Sequence, residues 1–197
     1  MGMIRTFIAI GLPDNVHHAL ADVQQRLRNE PGGSAGRWVR PENIHLTLKF
    51  LGDVEEASVP AISARMRRAC AGVAPFEVTI EGTGCFPNTR RPRVVWAGIG
   101  KPHEMLSNLQ DRVEKQMEAL GMQREGRPYS PHLTLGYARK NARRHEIEAL
   151  GRLVADDQPD RIATVLVEGI TLFRSELTHQ GAIYTALVRI ALRPETG

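Results

Sequence analysis

Aromatic residues are scarce in this chain: Phe, Trp and Tyr together make up 5% of its 197 residues. That scarcity counts against an extended platform for stacking the bases of a long single strand. Cysteine is scarcer still, with only Cys70 and Cys85 and no Cys-x-x-Cys pair. Two thiols so placed read as reduced side chains of a cytosolic protein, not as a disulfide framework or a zinc site. No apolar run approaches membrane-spanning length, and the N-terminus carries no secretory hydrophobic region. A cytoplasmic protein with no membrane association is therefore expected. Gly2-Met3-Ile4-Arg5-Thr6 formally fits an N-myristoylation pattern, but Met3 reads as the natural start.

Lysine is the last shortage. Of 26 basic residues only Lys49, Lys101, Lys115 and Lys140 are lysines, and the rest are arginines, in a chain of formal charge +4. Arginine pairs bidentately with phosphate and stacks on bases. Basic clusters stand at Arg65-Met66-Arg67-Arg68, at Arg90-Arg91-Pro92-Arg93 and from Arg139 to Arg144. A charge run is more often a solvated face, so the clusters fit an anionic partner without requiring one.

What is present is an ordinary globular composition, 42% hydrophobic and 24% charged, with no low-complexity tract. The length suits one domain at the upper end of the usual range, or two intimately packed lobes. No linker divides the chain, so a single bilobal domain over 1–197 is expected. Arg5 to Ile10 reads as a strand and Asn15 to Arg28 as a helix, with Val16, Leu20, Val23 and Leu27 on one face. A short extended piece follows at Trp38-Val39, then a strand over about Ile44 to Leu51 and a helix from about Glu55 to Ala71. Phe76 to Glu81 alternates as a strand, Gly82 to Arg93 reads as an irregular loop, and Val94 to Ala97 as another strand. Lys101 to Leu120 predicts a long helix with Met105, Leu109, Val113, Met117 and Leu120 on its apolar stripe. A strand from His132 to about Tyr137 and a helix from Arg143 to Val154 follow. Ala163 to Phe173 and Ala182 to Leu192 read as the last strands, joined by Arg174 to Gly181. The order points to an α+β protein with two similar lobes joined edge to edge.

Two copies of one pattern carry the chemistry. His45-Leu46-Thr47-Leu48 and His132-Leu133-Thr134-Leu135 lie 87 positions apart. On a strand, each copy puts its His and Thr on one face and its leucines on the other. One such strand is unremarkable, since a strand His often packs at a sheet edge. Two copies imply an internal duplication in which each half supplies an imidazole and a hydroxyl to a shared site. Paired histidines, one neutral and one protonated, equip general acid–base catalysis near neutral pH. Two hydroxyls beside them can donate to a tetrahedral oxyanion. Lys49 falls on the His45 face and is expected to add charge there or to lie in solvent. No Asp, Glu or Cys stands in either motif, so two histidines alone make a poor zinc site, and metal-free chemistry is the better reading.

The paired His-x-Thr-x motifs resemble those of the 2H phosphoesterase superfamily. The wider context resembles its RNA 2',3'-cyclic phosphodiesterase branch, also called the 2'-5' RNA ligase family. The similar stretches run in order: Arg5 to Ile10, Trp38 to Gly52, Phe86-Pro87, Pro92 to Trp96, Tyr129 to Leu135, and Ser175 to Thr178 with Gly181 and Tyr184. One departure is that Gly136-Tyr137-Ala138 precede Arg139 where the family often has Ala-Arg, so either Arg139 or Arg127 takes the basic role. His179 stands where the branch often has Pro.

The resemblance implies a duplicated bilobal fold, antiparallel sheets with outer helices around a central cleft, one motif per lobe, and no metal or other cofactor. It implies His45 as proton donor and His132 as proton acceptor, with Thr47, Thr134, Arg127 and Tyr129 as substrate-binding residues. The implied substrate is RNA with a 2',3'-cyclic phosphate end, the product a 2'-phosphomonoester, and the implied state a monomer. Two alternatives stand beside it. One is a module that binds RNA ends without turnover. The other is the same chemistry on a small cyclic nucleotide or an ADP-ribose cyclic phosphate, because the motifs grip phosphate and not the base.

Overall fold

The computed structural model describes residues 2–101, 103–179 and 181–194. Along them run β1 (Met3–Ile10), α1 (Asp14–Asn29), β2 (Gly36–Trp38), β3 (Leu46–Glu55), α2 (Val59–Cys70), β4 (Phe76–Phe86) and β5 (Val94–Ile99). They continue through α3 (Glu104–Glu118), β6 (His132–Ala138), α4 (Arg144–Asp156), β7 (Ala163–Val167), β8 (Gly169–Thr178) and β9 (Gly181–Ala191). Among the described residues the strands form one antiparallel sheet in the order β7-β4-β5-β6-β3-β1-β8-β9, and β2 adds to β6.

The sheet has a seam. β6 and β3 meet through the single pair Leu46↔Leu133, so two four-stranded halves splay apart at the middle. The two sheets expected from the sequence are these halves, continuous only through that pair. On the first lobe, β3-β1-β8-β9, pack α2 and α3; on the second, β7-β4-β5-β6, pack α1 and α4. The helix stripes follow the expected spacing: Val16, Leu20 and Leu27 are fully buried and Val23 nearly so. Neither lobe is one half of the sequence. The first takes α3, β8 and β9 from the C-terminal half, and the second takes α1 and β4 from the N-terminal half.

Four sequence expectations need correction. The stretch Ala163 to Phe173 is not one strand but two, broken at Glu168, and β7 and β8 fall in different lobes. Both pieces are apolar, so periodicity alone could not separate them. The supposed loop from Gly82 begins as strand, because β4 continues to Phe86 through a bulge. Gly82 supplies the extra residue at φ +61°, a conformation glycine adopts freely, and so it mimics a strand end. The connector expected from Arg174 is ladder as far as Thr178↔Gly181. In α3 the stripe begins at Leu106, which is fully buried, while Met105 is 45% exposed. The myristoylation and start readings touch Met1, the expected helix from Lys101 includes Pro102, and the last connector includes Gln180; these three residues lie outside the described residues.

Candidate active site

The seam brings the two motifs together. His45 immediately precedes β3, and His132 is the first residue of β6. Leu46, Leu48, Leu133 and Leu135 are buried toward the helices, while His45, Thr47, His132 and Thr134 are partly exposed on the opposite face. The alternation expected from each motif is therefore present.

Immediately after each threonine the alternation breaks. β1 pairs Ala9 with Thr47 and Ile8 with Lys49, leaving Leu48 as an extra residue. β5 pairs Trp96 with Thr134 and Val95 with Gly136, leaving Leu135 extra. The bulges are equivalent positions of the two motifs, so the duplication includes a defect in the ladder as well as the side chains. Each bulged carbonyl receives a buried glutamine. Gln24 of α1 donates Nε2 to Leu135 O at 2.7 Å and to Val39 O at 2.8 Å. Gln110 of α3 donates to Leu48 O at 3.4 Å. Sequence reading missed both; the available signal was a polar residue interrupting the apolar stripe of each helix.

The bulge also reverses the expectation for Lys49. An extra residue moves it to the helix side, where it is 6% exposed. Its Nζ lies 2.7 Å from Glu114 Oε2 and 2.9 Å from Gln123 O, away from the His45 face. The next residue returns to the cleft face: Phe50 stands opposite Phe7 on β1, and Tyr137 stands opposite Val94 on β5. Phe50 is 70% exposed and Tyr137 39%.

Both imidazoles are held the same way. His45 Nδ1 lies 2.8 Å from Asn43 O and His132 Nδ1 lies 2.8 Å from Ser130 O. A carbonyl only accepts, so Nδ1 carries hydrogen in each ring, and Nε2 is the atom left to exchange a proton. Asn43 is itself anchored through its Nδ2 to Ala182 O at 2.8 Å, which ties the His45 turn to β9.

Their surroundings differ. Phe7 stacks on His45 at 4.6 Å between centroids and Tyr184 meets it edge-on at 5.2 Å, with Phe173 beyond. This desolvation holds the His45 pKa below the usual imidazole value, the Asn43 carbonyl opposes it, and the nearby His132 lowers it further. His132 has Phe86 edge-on at 4.8 Å. On the floor of the second lobe the Trp96 indole lies over Gly84, where a Cβ would come within 2.2 Å of Cζ2, so any side chain there would displace the ring.

The other expected residues divide. Tyr129 donates its hydroxyl to Thr47 O at 3.1 Å, and burial raises its pKa, so it is a neutral brace between the two motif strands. Arg127 does not join the cluster in the same way. Its side chain is 85% exposed and forked on Glu125, with two contacts of 3.0 Å. Arg139 donates its guanidinium to Ser34 O. Among the described residues no group of three or more His, Cys, Asp or Glu side chains could hold a metal ion, and no helix is long and apolar enough to cross a membrane.

A cleft with one His-x-Thr-x motif on each side of a pseudo-symmetric seam defines a two-histidine phosphoesterase. The LigT-like phosphoesterase family matches residues 10–96 and again 99–184, one match per motif, and the chain belongs to that family. It is 36% identical over 182 residues to the RNA 2',3'-cyclic phosphodiesterase of Methanothermobacter thermautotrophicus, covering 92% of this chain and 95% of that one. It is 35% identical over 199 residues to the protein of the same name from Thermus thermophilus, covering 98% and 93%. Among solved structures, E. coli LigT complexed with 3'-AMP superposes with a TM-score of 0.77 at 28% identity, covering 97% of this chain and 99% of that one.

Proposed function

We propose that this chain hydrolyses the 2',3'-cyclic phosphate at the 3' end of RNA to a 2'-phosphomonoester, by general acid–base catalysis between two imidazoles. The observation that carries the reading is the matched pair of Nδ1–carbonyl contacts, which leaves Nε2 of His45 and of His132 as the two proton-exchanging atoms of one cleft. His132 Nε2 takes a proton from water as its oxygen attacks phosphorus. The bond from phosphorus to the 3' oxygen breaks, and His45 Nε2–H protonates that oxygen. Thr47 and Thr134 hydroxyls donate to the non-bridging oxygens, where charge builds in the transition state. With a 5'-hydroxyl in place of water the same steps give a 2'-5' linkage. Arg127 contributes only if the substrate draws it away from Glu125. The two buried, unpaired thiols fit a cytoplasmic setting, and the protein is expected to run as a monomer in gel filtration.

The test is ³¹P NMR of a short RNA ending in a 2',3'-cyclic phosphate, incubated with the protein in excess EDTA. Conversion to a 2'-phosphomonoester is expected; a persistent cyclic signal overturns the reading.

Gln24 and Gln110 act on this chemistry as positioning residues, because each fixes the carbonyl next to a substrate-binding threonine. Gln24→Met keeps the volume and removes two donors. A misplaced catalytic group can slow a reaction by about 10²-fold, so kcat is expected to fall about ten- to a hundredfold with little change in KM. A variant that folds with unaltered kcat removes Gln24 from that role.

A further inference from the structure

The hydrolytic step uses none of the cations on the second lobe, yet that lobe concentrates them. A pocket there is lined by Arg37 of β2, Arg91 and Arg93 before β5, and Arg139 and Lys140 after β6, with Tyr137 in its wall. No ion pair among the described residues includes any of these five cations. Like charges gathered without counter-charge repel, and an anion in the pocket relieves that repulsion. The Arg37 guanidinium already sits 5.1 Å over the Tyr137 ring, so a cation and an aromatic face are presented together. That pairing suits a nucleotide, whose phosphate takes the cation and whose base takes the ring.

The pocket is connected to the reacting centre through the sheet. Tyr137 lies on β6 five residues after His132, about 16 Å along the strand at the usual rise. It pairs with Val94, Val94 pairs with Phe86, and Phe86 meets the His132 ring. The other end of the cleft differs: beyond Phe50, Arg5 has a carboxylate residue, Asp53, at the register position opposite it in the β1–β3 ladder. Arg67, Arg189 and Arg193 line a second pocket, on the first lobe, but none of them stands on β3 or β6 or on a strand paired with either. The second-lobe pocket is the one tied through the sheet to His132, and a strand whose end lies at the seam is drawn over it.

We infer that this pocket binds backbone phosphates upstream of the cyclic end, so that the preferred substrate is an oligonucleotide and not a cyclic mononucleotide. The inference rests on the proposed hydrolysis and specifies its substrate class. The experiment compares kcat/KM for a tetranucleotide ending in a 2',3'-cyclic phosphate with that for a 2',3'-cyclic mononucleotide, over a range of salt. The tetranucleotide is expected to be favoured at least tenfold at low salt. Its advantage should decline with salt at a log–log slope of about −0.7 per phosphate contacted. In Arg91→Glu/Lys140→Glu, two exposed positions whose change leaves the core intact, that advantage should collapse. Equal use of both substrates by the unaltered protein, or an advantage that survives in the variant, overturns the inference while leaving cyclic phosphate hydrolysis in place. Hydrolysis of neither substrate overturns the proposed function itself.

Discussion

Replacing either His45 or His132 with alanine is expected to cut kcat by at least about 10²-fold and by as much as 10⁴-fold, the range of a general acid or base. Thr47→Ala and Thr134→Ala should cost less, since each removes one donor among several. Near-normal turnover in either histidine variant would sink the mechanism. The pH profile of kcat/KM separates the two roles. As the acid, His45 must be protonated, and activity falls as pH rises through its pKa. Burial holds that pKa below the ordinary 6.5 or so of an imidazole, so the alkaline limb should lie on the acid side of that value in the free enzyme. Bound phosphate supplies the opposite charge and favours the imidazolium, so the limb of kcat should lie higher than that of kcat/KM. Tyr184→Ala removes the ring edge-on to His45, admits water, and raises its pKa. If His45 is the acid, the alkaline limb moves to higher pH; if the acid limb moves instead, His45 is the base and the roles are exchanged.

Most of the candidate site was legible because its side chains are placed by strand alternation and by repetition. His45, Thr47, His132 and Thr134 needed only the period of two and the second copy of the motif. Lys49 was misplaced because alternation assumes an unbroken ladder, and nothing local in Thr47-Leu48-Lys49 marks the bulge. The bulge is set by pairing with β1 and by a glutamine 62 positions away on α3, both non-local. The same limit hid the lobe exchange. Each helix and nearly every strand was visible from its own periodicity, but no local pattern says that α1 crosses to the second lobe or that Glu168 divides strands of different lobes. Arg127 was inferred from resemblance alone, and its engagement with Glu125 depends on a carboxylate that no motif includes.

The bulge has an energetic consequence at Lys49. Its side chain is 4% exposed and that of Glu114 5%, so the pair is buried behind the sheet, with Gln110 donating to the second carboxylate oxygen at 3.3 Å. Lys49→Met leaves the carboxylate buried without its cation, which costs about 3–5 kcal/mol. In a chain of this size each kcal/mol is worth about 2–4 °C, so the melting temperature should fall by roughly 6–20 °C. Lys49→Met/Glu114→Leu removes both charges and should recover most of that loss, because the penalty belongs to the unpaired charge and not to the absence of the pair. A double variant as unstable as the single one would instead assign the stability to the contacts of Lys49 with Gln123 and of Gln110 with Glu114. Both variants are expected to unfold in one transition. Each lobe takes strands and a helix from both halves of the chain, so neither is a continuous segment that can unfold alone when α3 loosens from β3; two separate transitions would mean that the lobes fold independently.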